Sequence, residues 1–505
     1  MDEAWIVQGV HGPRHKTDEF TASEDSSSAQ RRSPSQAKPE PPPPTPTPSP
    51  VLCTSCKRPR WSWATVGDMS FAHAANQSGP WSEEALDVLA KFPMVTIEKY
   101  QGQSERCFAN HRDQWGPPGG WLNSTWGDSW CNLDVDPKQN GHGPGPADGC
   151  NCTVESAPIG LTADATGRFA EDRILEALQQ LKRRNPNIST LAYHDSNLMW
   201  TNDQVDRRDR VGAKSCRYWN PTVYGRDDAI VAEHPEWTLH NTSGQFVWDS
   251  YQNNHVYDHT VPEVAKTWVD ICLNLTRVGA ADGCFIDGAT FPHTPLAKFQ
   301  AFMQWNISDA KASSWIPAHD QSLWTLNTAL GEGTMIANGG QTPLASGFMI
   351  EAFTPGDYSE IQAGVKAGRI VQAHTTYYAA AKNPDVRDAL AGFLIGTGPG
   401  AYFSGPYTWD IDQTWSDPLG IDDIRMRYLP EFDRPLGEAK ADAVFDKATN
   451  TATREFASGT VVTFNHSSNQ GTIKWGDGAV TQGPGCPASA TRCRSCKPPH
   501  YTSCV

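Results

Sequence analysis

The sequence contains no run of roughly 18 consecutive apolar residues, the length a membrane span requires. It also lacks any basic cluster longer than a few residues. With 57 acidic against 42 basic side chains the formal charge is -15 and the isoelectric point about 5.4. Such a balance does not neutralise phosphates, which argues against nucleic acid and anionic membrane as partners. No Gly-x-Ser-x-Gly elbow, His-Glu-x-x-His helix or P-loop is present, so nucleophilic-serine and zincin chemistries drop out. The glycine-rich run Gly396 to Gly400 carries Pro399 where a phosphate cradle needs an N–H, and it precedes a strand. It reads as a helix-to-strand turn. The start, Met1-Asp2-Glu3-Ala4-Trp5, lacks the basic-then-apolar order of a secretory signal.

The 505 residues are enough for one large α/β domain with appendages. Trp (19), Gly (42) and Pro (38) are plentiful, suggesting long loops on a rigid scaffold. Aromatic faces of this kind stack on sugar rings, although core and loop packing accounts for most of them. The 13 cysteines include Cys53/Cys56, Cys150/Cys152 and a terminal group, Cys486, Cys493, Cys496 and Cys504. Their setting reads as disulfide-closed loops in an oxidising compartment, because the two C-x-x-C pairs a zinc site needs lie at opposite ends of the chain. Acceptor tripeptides at Asn76, Asn123, Asn151, Asn187, Asn241, Asn274, Asn306 and Asn465 fit a glycosylated, secreted chain. A secretory-pathway location is therefore expected, and an incorrect start is preferred, as the reason no signal is visible, over the alternative that the cysteines do not imply secretion.

The stretch Val278 to Gly288 organises the rest. An amphipathic helix over Pro262 to Arg277 leads into the apolar triplet Cys284-Phe285-Ile286, which ends in Asp287 and Gly288. A short apolar run bounded by glycines predicts a buried parallel strand, and an acid at its end points into a shared mouth. Seven more strands are expected at 61–68, 94–97, 189–193, 334–337, 347–350, 369–373 and 401–403, with helices at 82–91, 170–184, 296–330, 357–367 and 384–394. Eight strands alternating with helices, each ending in a polar residue, fit a (β/α)8 barrel better than an open sheet. The predicted organisation is a disordered Pro/Ser-rich segment at 1–58, a barrel at 59–435 with insertions at 101–160 and 198–260, a small antiparallel β-domain at 436–482 and a Cys-rich tail at 483–505.

Asp287 after strand 4 and Glu351 after strand 6 would face each other across the mouth. Two carboxylates in an aromatic-lined cleft are what glycosidic cleavage needs, one as nucleophile or base and one as acid. Either could instead cap a helix or balance a buried arginine. Glu98 and Asp195 end strands 2 and 3 and are expected to hydrogen-bond sugar hydroxyls. His194, Asn338 and His374 could line the same mouth, with Tyr377, Tyr378, Trp200, Trp237 and Trp248 as stacking platforms. A metal-dependent hydrolase using His194, Asp195 and His374 is an alternative, as is a carbohydrate-binding barrel that has lost catalysis.

The run Gly279 to Asp287, preceded by Tyr257-Asp258 and by His234-Pro235-Glu236-Trp237 and Gly244 to Trp248, resembles the fourth-strand region of glycoside-hydrolase-like TIM-barrel proteins. Residues Arg454 to Asn465 are similar to the β-domain that follows the barrel in that group. The likeness spans roughly residues 61 to 480 and extends to the α-galactosidase clan. It implies a retaining glycoside hydrolase that acts on an oligo- or polysaccharide without a cofactor, with Asp287 as nucleophile and Glu351 as acid.

Overall fold

The computed structural model describes residues 56, 58–74, 81, 83–101, 170–199, 234–247, 255–289, 296, 305–338, 342–351, 353–375, 386–404 and 428–483. Almost all of the expected N-terminal tether, the first insertion and the Cys-rich tail lie outside these residues, as do Trp200, Trp248, Tyr377 and Tyr378.

Eight parallel strands form one sheet in sequential order: β1 (Ser70–Ala74), β2 (Met94–Gln101), β3 (Ser189–Asp195), β4 (Gly283–Asp287), β5 (Thr334–Asn338), β6 (Gly347–Ile350), β7 (Ile370–His374) and β8 (Ala401–Ser404). The ring closes where Asp68, just before β1, bridges Phe403 of β8 in parallel, with Met69 N donating to Phe403 O at 2.9 Å. This is the expected (β/α)8 barrel. Its helices are α1 (Glu83–Leu89), α2 (Ala170–Arg184), α3 (Pro262–Arg277), α4 (Asp309–Leu330), α5 (Tyr358–Lys366) and α6 (Val386–Gly396).

Strand 1 is a correction. The sequence pattern puts it at 61–68, whereas the strand is Ser70–Ala74. The Trp61 indole donates to Ala401 O at 2.9 Å, Trp61 and Trp63 pack edge to face, and Trp63 and Ala64 carbonyls accept from Gly437 and Leu436. Residues 61–68 thus form a lead-in clamped to β8 and to the chain's later part, and their aromatic pattern mimics a strand without being one.

Alternation along each strand sorts the layers. Phe71, Phe285 and His374 meet inside the barrel, with ring centroids 4.8 and 5.9 Å from Phe71. Gln372 reaches across to Met94. Cys284 points outward instead, its sulfur 2.01 Å from that of Cys272 in α3. α3 presents Val264, Trp268, Ile271, Cys272 and Leu275 to the sheet at the three- and four-residue spacing of a buried helical face. Gly283 opens β4 because a Cβ there would overlap the Thr334 backbone of β5.

After Pro430–Asp433 come five antiparallel strands in a meander: β9 (Val444–Asp446), β10 (Thr451–Glu455), β11 (Val461–Asn465), β12 (Gln470–Lys474) and β13 (Val480–Gln482). The short β-rich runs at 443–445, 453–456, 460–464 and 472–475 mark four of them in the sequence. β13 escapes that pattern because only Thr481 of its three residues is buried. Ala452, Val462, Phe464 and Ile473 form the sheet's buried face, and it packs on α6. Two polar contacts fix that helix. Asp388 in its first turn accepts from Gly471 N at 2.7 Å. The buried Arg454 guanidinium donates to the Leu394 and Ile395 carbonyls at 3.3 and 3.0 Å, and to that of Thr397. An acid at the N-terminal end and a cation on the last carbonyls both suit the helix dipole.

Candidate functional site

Parallel strands bring their C-terminal ends to one mouth, where β3, β4, β5 and β6 lie side by side. Asp195 and Asp287 are register partners at the ends of β3 and β4. Asn338 ends β5, and Glu351 follows β6 directly.

A single amide joins the two acids. Asn338 Nδ2 donates to Asp287 Oδ1 at 3.0 Å and to Glu351 Oε2 at 3.1 Å. Two oxygens held by one nitrogen at those distances are at most about 6.1 Å apart, and about 5.3 Å if the amide's two N–H bonds diverge by the usual ~120°. Asn338 is buried, and its Oδ1 has no hydrogen-bond partner among the described residues. That asymmetry fits the amide's orientation, because the ionised Asp287 accepts and cannot donate.

Asp287 is held on every side. Its Oδ2 accepts from the Tyr193 hydroxyl at 2.5 Å, and its Oδ1 accepts from Gly288 N at 2.9 Å as well as from Asn338. Its backbone carbonyl accepts from Ser196 N at 2.9 Å and Ser196 Oγ at 2.8 Å. Gly288 turns the chain away with φ +68, and any Cβ there would collide with the Asn197 amide, which donates to Gly288 O at 3.0 Å.

Behind this loop stand three buried histidines. His259 Nε2 donates to Ser196 O at 2.7 Å, so the neutral ring accepts at Nδ1 from Ser322 Oγ, 3.0 Å away. Burial holds His259 well below the usual imidazole range, aided by the neighbouring His319, whose own value burial also lowers. His194 is pushed down to about 4 by burial.

The expected site residues divide accordingly. Asp287, Glu351 and Asn338 converge. Asp195 joins them at the rim, but its Oδ1 is taken by Asn197 N and Leu198 N at 2.8 and 2.9 Å, leaving Oδ2 3.4 Å from the Tyr193 hydroxyl. His194 does not line the mouth. It lies one residue out of phase with Tyr193 and Asp195, stacks on Trp268 at 4.8 Å and sits 3.1 Å from that residue's carbonyl, on the helix side of the sheet. His374 ends β7, fully buried and stacked on Phe71 inside the barrel. His194, Asp195 and His374 therefore do not converge as a metal site would require, and no cluster of three His, Cys, Asp or Glu suited to a metal occurs among the described residues. Glu98 lies within β2, but its side chain is outside the described residues, as are Trp248 and Tyr377. Trp237 is half-buried and covered by His234, 4.3 Å away and nearly parallel.

Sequence reasoning missed Tyr193, Ser196 and His259. Tyr193 alone carried a signal: it stands two residues before Asp195, on the same face of one strand.

A closed eight-stranded parallel ring, with two carboxylates bridged at the ends of β4 and β6, defines a barrel of the glycosidase type. The chain belongs to the family described as "Hypothetical glycosyl hydrolase family 15", whose model matches residues 182–460, more than half of the sequence. It is accordingly a glycosyl hydrolase by family. No curated protein matches it. Among solved structures it is similar to the glycoside hydrolase domain of PelA from Pseudomonas aeruginosa, at 13% identity over 68% of this chain and 96% of that one, TM-score 0.34. The noncanonic maltogenic alpha-amylase AmyB from Thermotoga neapolitana follows at 11%, 81% and 85%, TM-score 0.39. An alpha-galactosidase from Thermus thermophilus has 12% identity, covering 58% of this chain and 42% of that one, with TM-score 0.29.

Proposed function

We propose that the chain hydrolyses an oligo- or polysaccharide with retention of anomeric configuration, Asp287 acting as nucleophile and Glu351 as acid and then base. The observation that carries this is the shared amide of Asn338. The two oxygens that share the amide, Asp287 Oδ1 and Glu351 Oε2, are about 5.3 Å and no more than about 6.1 Å apart, which supports the ~5–5.5 Å class of retaining pairs over the ~6.5–9.5 Å class that leaves room for water in inverting ones.

The hydrogen bonds also favour particular atoms. Asp287 Oδ1 already accepts two bonds, whereas Oδ2 accepts one from Tyr193. With one acceptor bond among the described residues against two on Oδ1, Oδ2 is assigned as the attacking atom. Glu351 Oε2 accepts from Asn338, and the Glu351 carboxyl carries the proton to the leaving oxygen. In the first step the Oδ2–C1 bond forms, the glycosidic C1–O bond breaks, and the Glu351 proton passes to the departing sugar. In the second, water gives its proton to Glu351 while its oxygen attacks C1, and Oδ2 leaves with the electron pair.

The reading includes passage through the secretory pathway, supported by exposed acceptor asparagines at Asn187, Asn274 and Asn306 and by the paired sulfurs of Cys272 and Cys284. Loss of mass on deglycosylation of the protein made in a secreting eukaryotic host checks it.

The catalytic assignment is tested with aryl glycosides and proton NMR of the first-formed sugar. Retention, abolition of turnover in Asp287→Asn, and formation of a glycosyl azide of the substrate's own configuration by Glu351→Ala with azide are expected. An inverted product, or an active Asp287→Asn, sinks the assignment.

A further inference from the structure

The Tyr193 hydroxyl lies between two carboxylates, 2.5 Å from Asp287 Oδ2 and 3.4 Å from Asp195 Oδ2. It has one proton, and at these distances the proton belongs to the bond with Asp287. Asp195 cannot turn away, because its Oδ1 is tied to two backbone N–H groups at 2.8 and 2.9 Å. Its carbonyl is likewise held by the Trp268 indole at 2.8 Å. The ring of Tyr193 is buried and stacks on Phe285 of β4 at 5.9 Å, which fixes the hydroxyl beneath both acids.

We infer that Tyr193 is a catalytic residue whose hydroxyl proton changes acceptor during the reaction, from Asp287 in the free enzyme to Asp195 in the glycosyl-enzyme. The inference rests on the proposed roles of Asp287 and Glu351. While Asp287 is a free carboxylate, the Tyr193 bond is charge-assisted and strong. Once Oδ2 is esterified to C1, its charge is gone and the bond weakens. The Asp195 carboxylate is then the better acceptor within reach, and rotation about the phenol C–O bond is the only movement required. No proton is transferred, since the hydroxyl stays a hydroxyl throughout. When water releases the sugar, charge returns to Oδ2 and the hydroxyl swings back.

The two reaction steps respond with opposite signs. In Tyr193→Phe the free carboxylate loses its full hydrogen bond, each transition state loses about half, and the ester loses little. Formation of the glycosyl-enzyme is then no slower, while its breakdown slows about 4- to 12-fold if half of a charged hydrogen bond is at stake. Asp195→Asn does the reverse. Its Oδ1 keeps the backbone contacts, and its amide now donates to the tyrosine oxygen, holding the proton on Asp287. The ester then gains no alternative acceptor, and formation of the glycosyl-enzyme is the step that slows.

The test is stopped-flow release of 2,4-dinitrophenolate from the dinitrophenyl glycoside the wild type turns over fastest in a panel of sugars. Tyr193→Phe should show a burst with slowed steady state, and Asp195→Asn should slow the first phase without accumulating intermediate. Equal slowing of both steps in both variants marks a structural role and overturns the inference, even with Asp287→Asn inactive. Should no glycoside be turned over, or should Asp287→Asn remain active, the proposed function falls and this inference with it.

Discussion

Replacing Asn338 by alanine separates holding the site from holding the fold. The side chain makes two hydrogen bonds to carboxylates, at 3.0 and 3.1 Å, while its buried Oδ1 has no partner among the described residues. Bonds to charged groups contribute roughly 1.5–3 kcal/mol each, and a buried unsatisfied acceptor costs about 1–3 kcal/mol. For stability the two effects oppose each other. Truncation gives up two bonds but also removes the orphaned carbonyl, and the freed carboxylates sit at a mouth that admits water, so the net change in unfolding free energy is within about 2 kcal/mol. For catalysis the loss is not offset in this way, because the amide ties the two acids to a common point. Losing both bonds at the lower figure of about 1.5 kcal/mol each corresponds to roughly 150-fold in kcat/KM. Paired measurements of aryl-glycoside kinetics and urea unfolding decide the matter. A variant within threefold of wild-type kcat/KM, or one whose activity falls only as far as its folded fraction, refutes the bridging role.

Other perturbations have defined signs. Burial raises the Asp68 carboxyl well above the usual carboxylate range, and its Oδ2 has no partner among the described residues. Its contribution is fully present below the unfolded value near ~3.9 and is lost as pH rises through the folded one. Asp68→Asn should therefore be more stable than wild type at pH 8 by urea unfolding, with the gap closing toward pH 4. The buried histidines act oppositely. His194 at about 4, with His259 and His319 also lowered, makes the unfolded chain bind more protons below its imidazole value of ~6.5. Stability should fall as pH drops from about 6.5 toward 4, and His194→Gln should flatten that slope in a pH series of melting temperatures. Arg454→Met removes the cap on three carbonyls at the end of α6 and should cost about 2–3 kcal/mol in chemical unfolding, with kcat/KM of the remaining folded protein unchanged.

Much of the barrel was legible because its strands are short apolar runs between glycines and polar ends, and because each of the eight is followed in space by the next. β6, at 347–350, and α2 and α3, at 170–184 and 262–277, coincide with the boundaries read from the sequence. Strand 1 failed where tryptophans that clamp a lead-in imitated a strand face. His194 failed for a finer reason. A polar pair at a strand end was read as two mouth residues, although alternation lets only one of two neighbours face inward, and Asp195 took that place. Tyr193, Ser196 and His259 escaped because their meaning lies in partners 94, 91 and 63 residues away, a separation no local pattern encodes. The Cys272–Cys284 pair carries no C-x-x-C spacing, because an outward-facing β4 residue meets the preceding helix twelve residues away.

The mouth and its support divide electrostatic labour. Among the described residues the acids at the mouth are Asp287, Glu351 and Asp195, while the loop that carries Asp287's backbone is braced by Ser196, His259 and Ser322, all of them neutral when His259 is unprotonated. A lysine or arginine in that second position would brace the loop equally well, but it would set a fixed positive charge behind the nucleophile, and a cation there favours the carboxylate over the ester the reaction must form. A buried imidazole kept neutral supplies the donor without the charge. The arrangement has a cost in acid, since protonation of the unfolded chain's histidines pulls against it below about pH 6.5. Bracing without charge is therefore obtained at the expense of acid stability, because His259, kept neutral behind the nucleophile, is one of the buried imidazoles whose protonation in the unfolded chain pulls against the fold in acid.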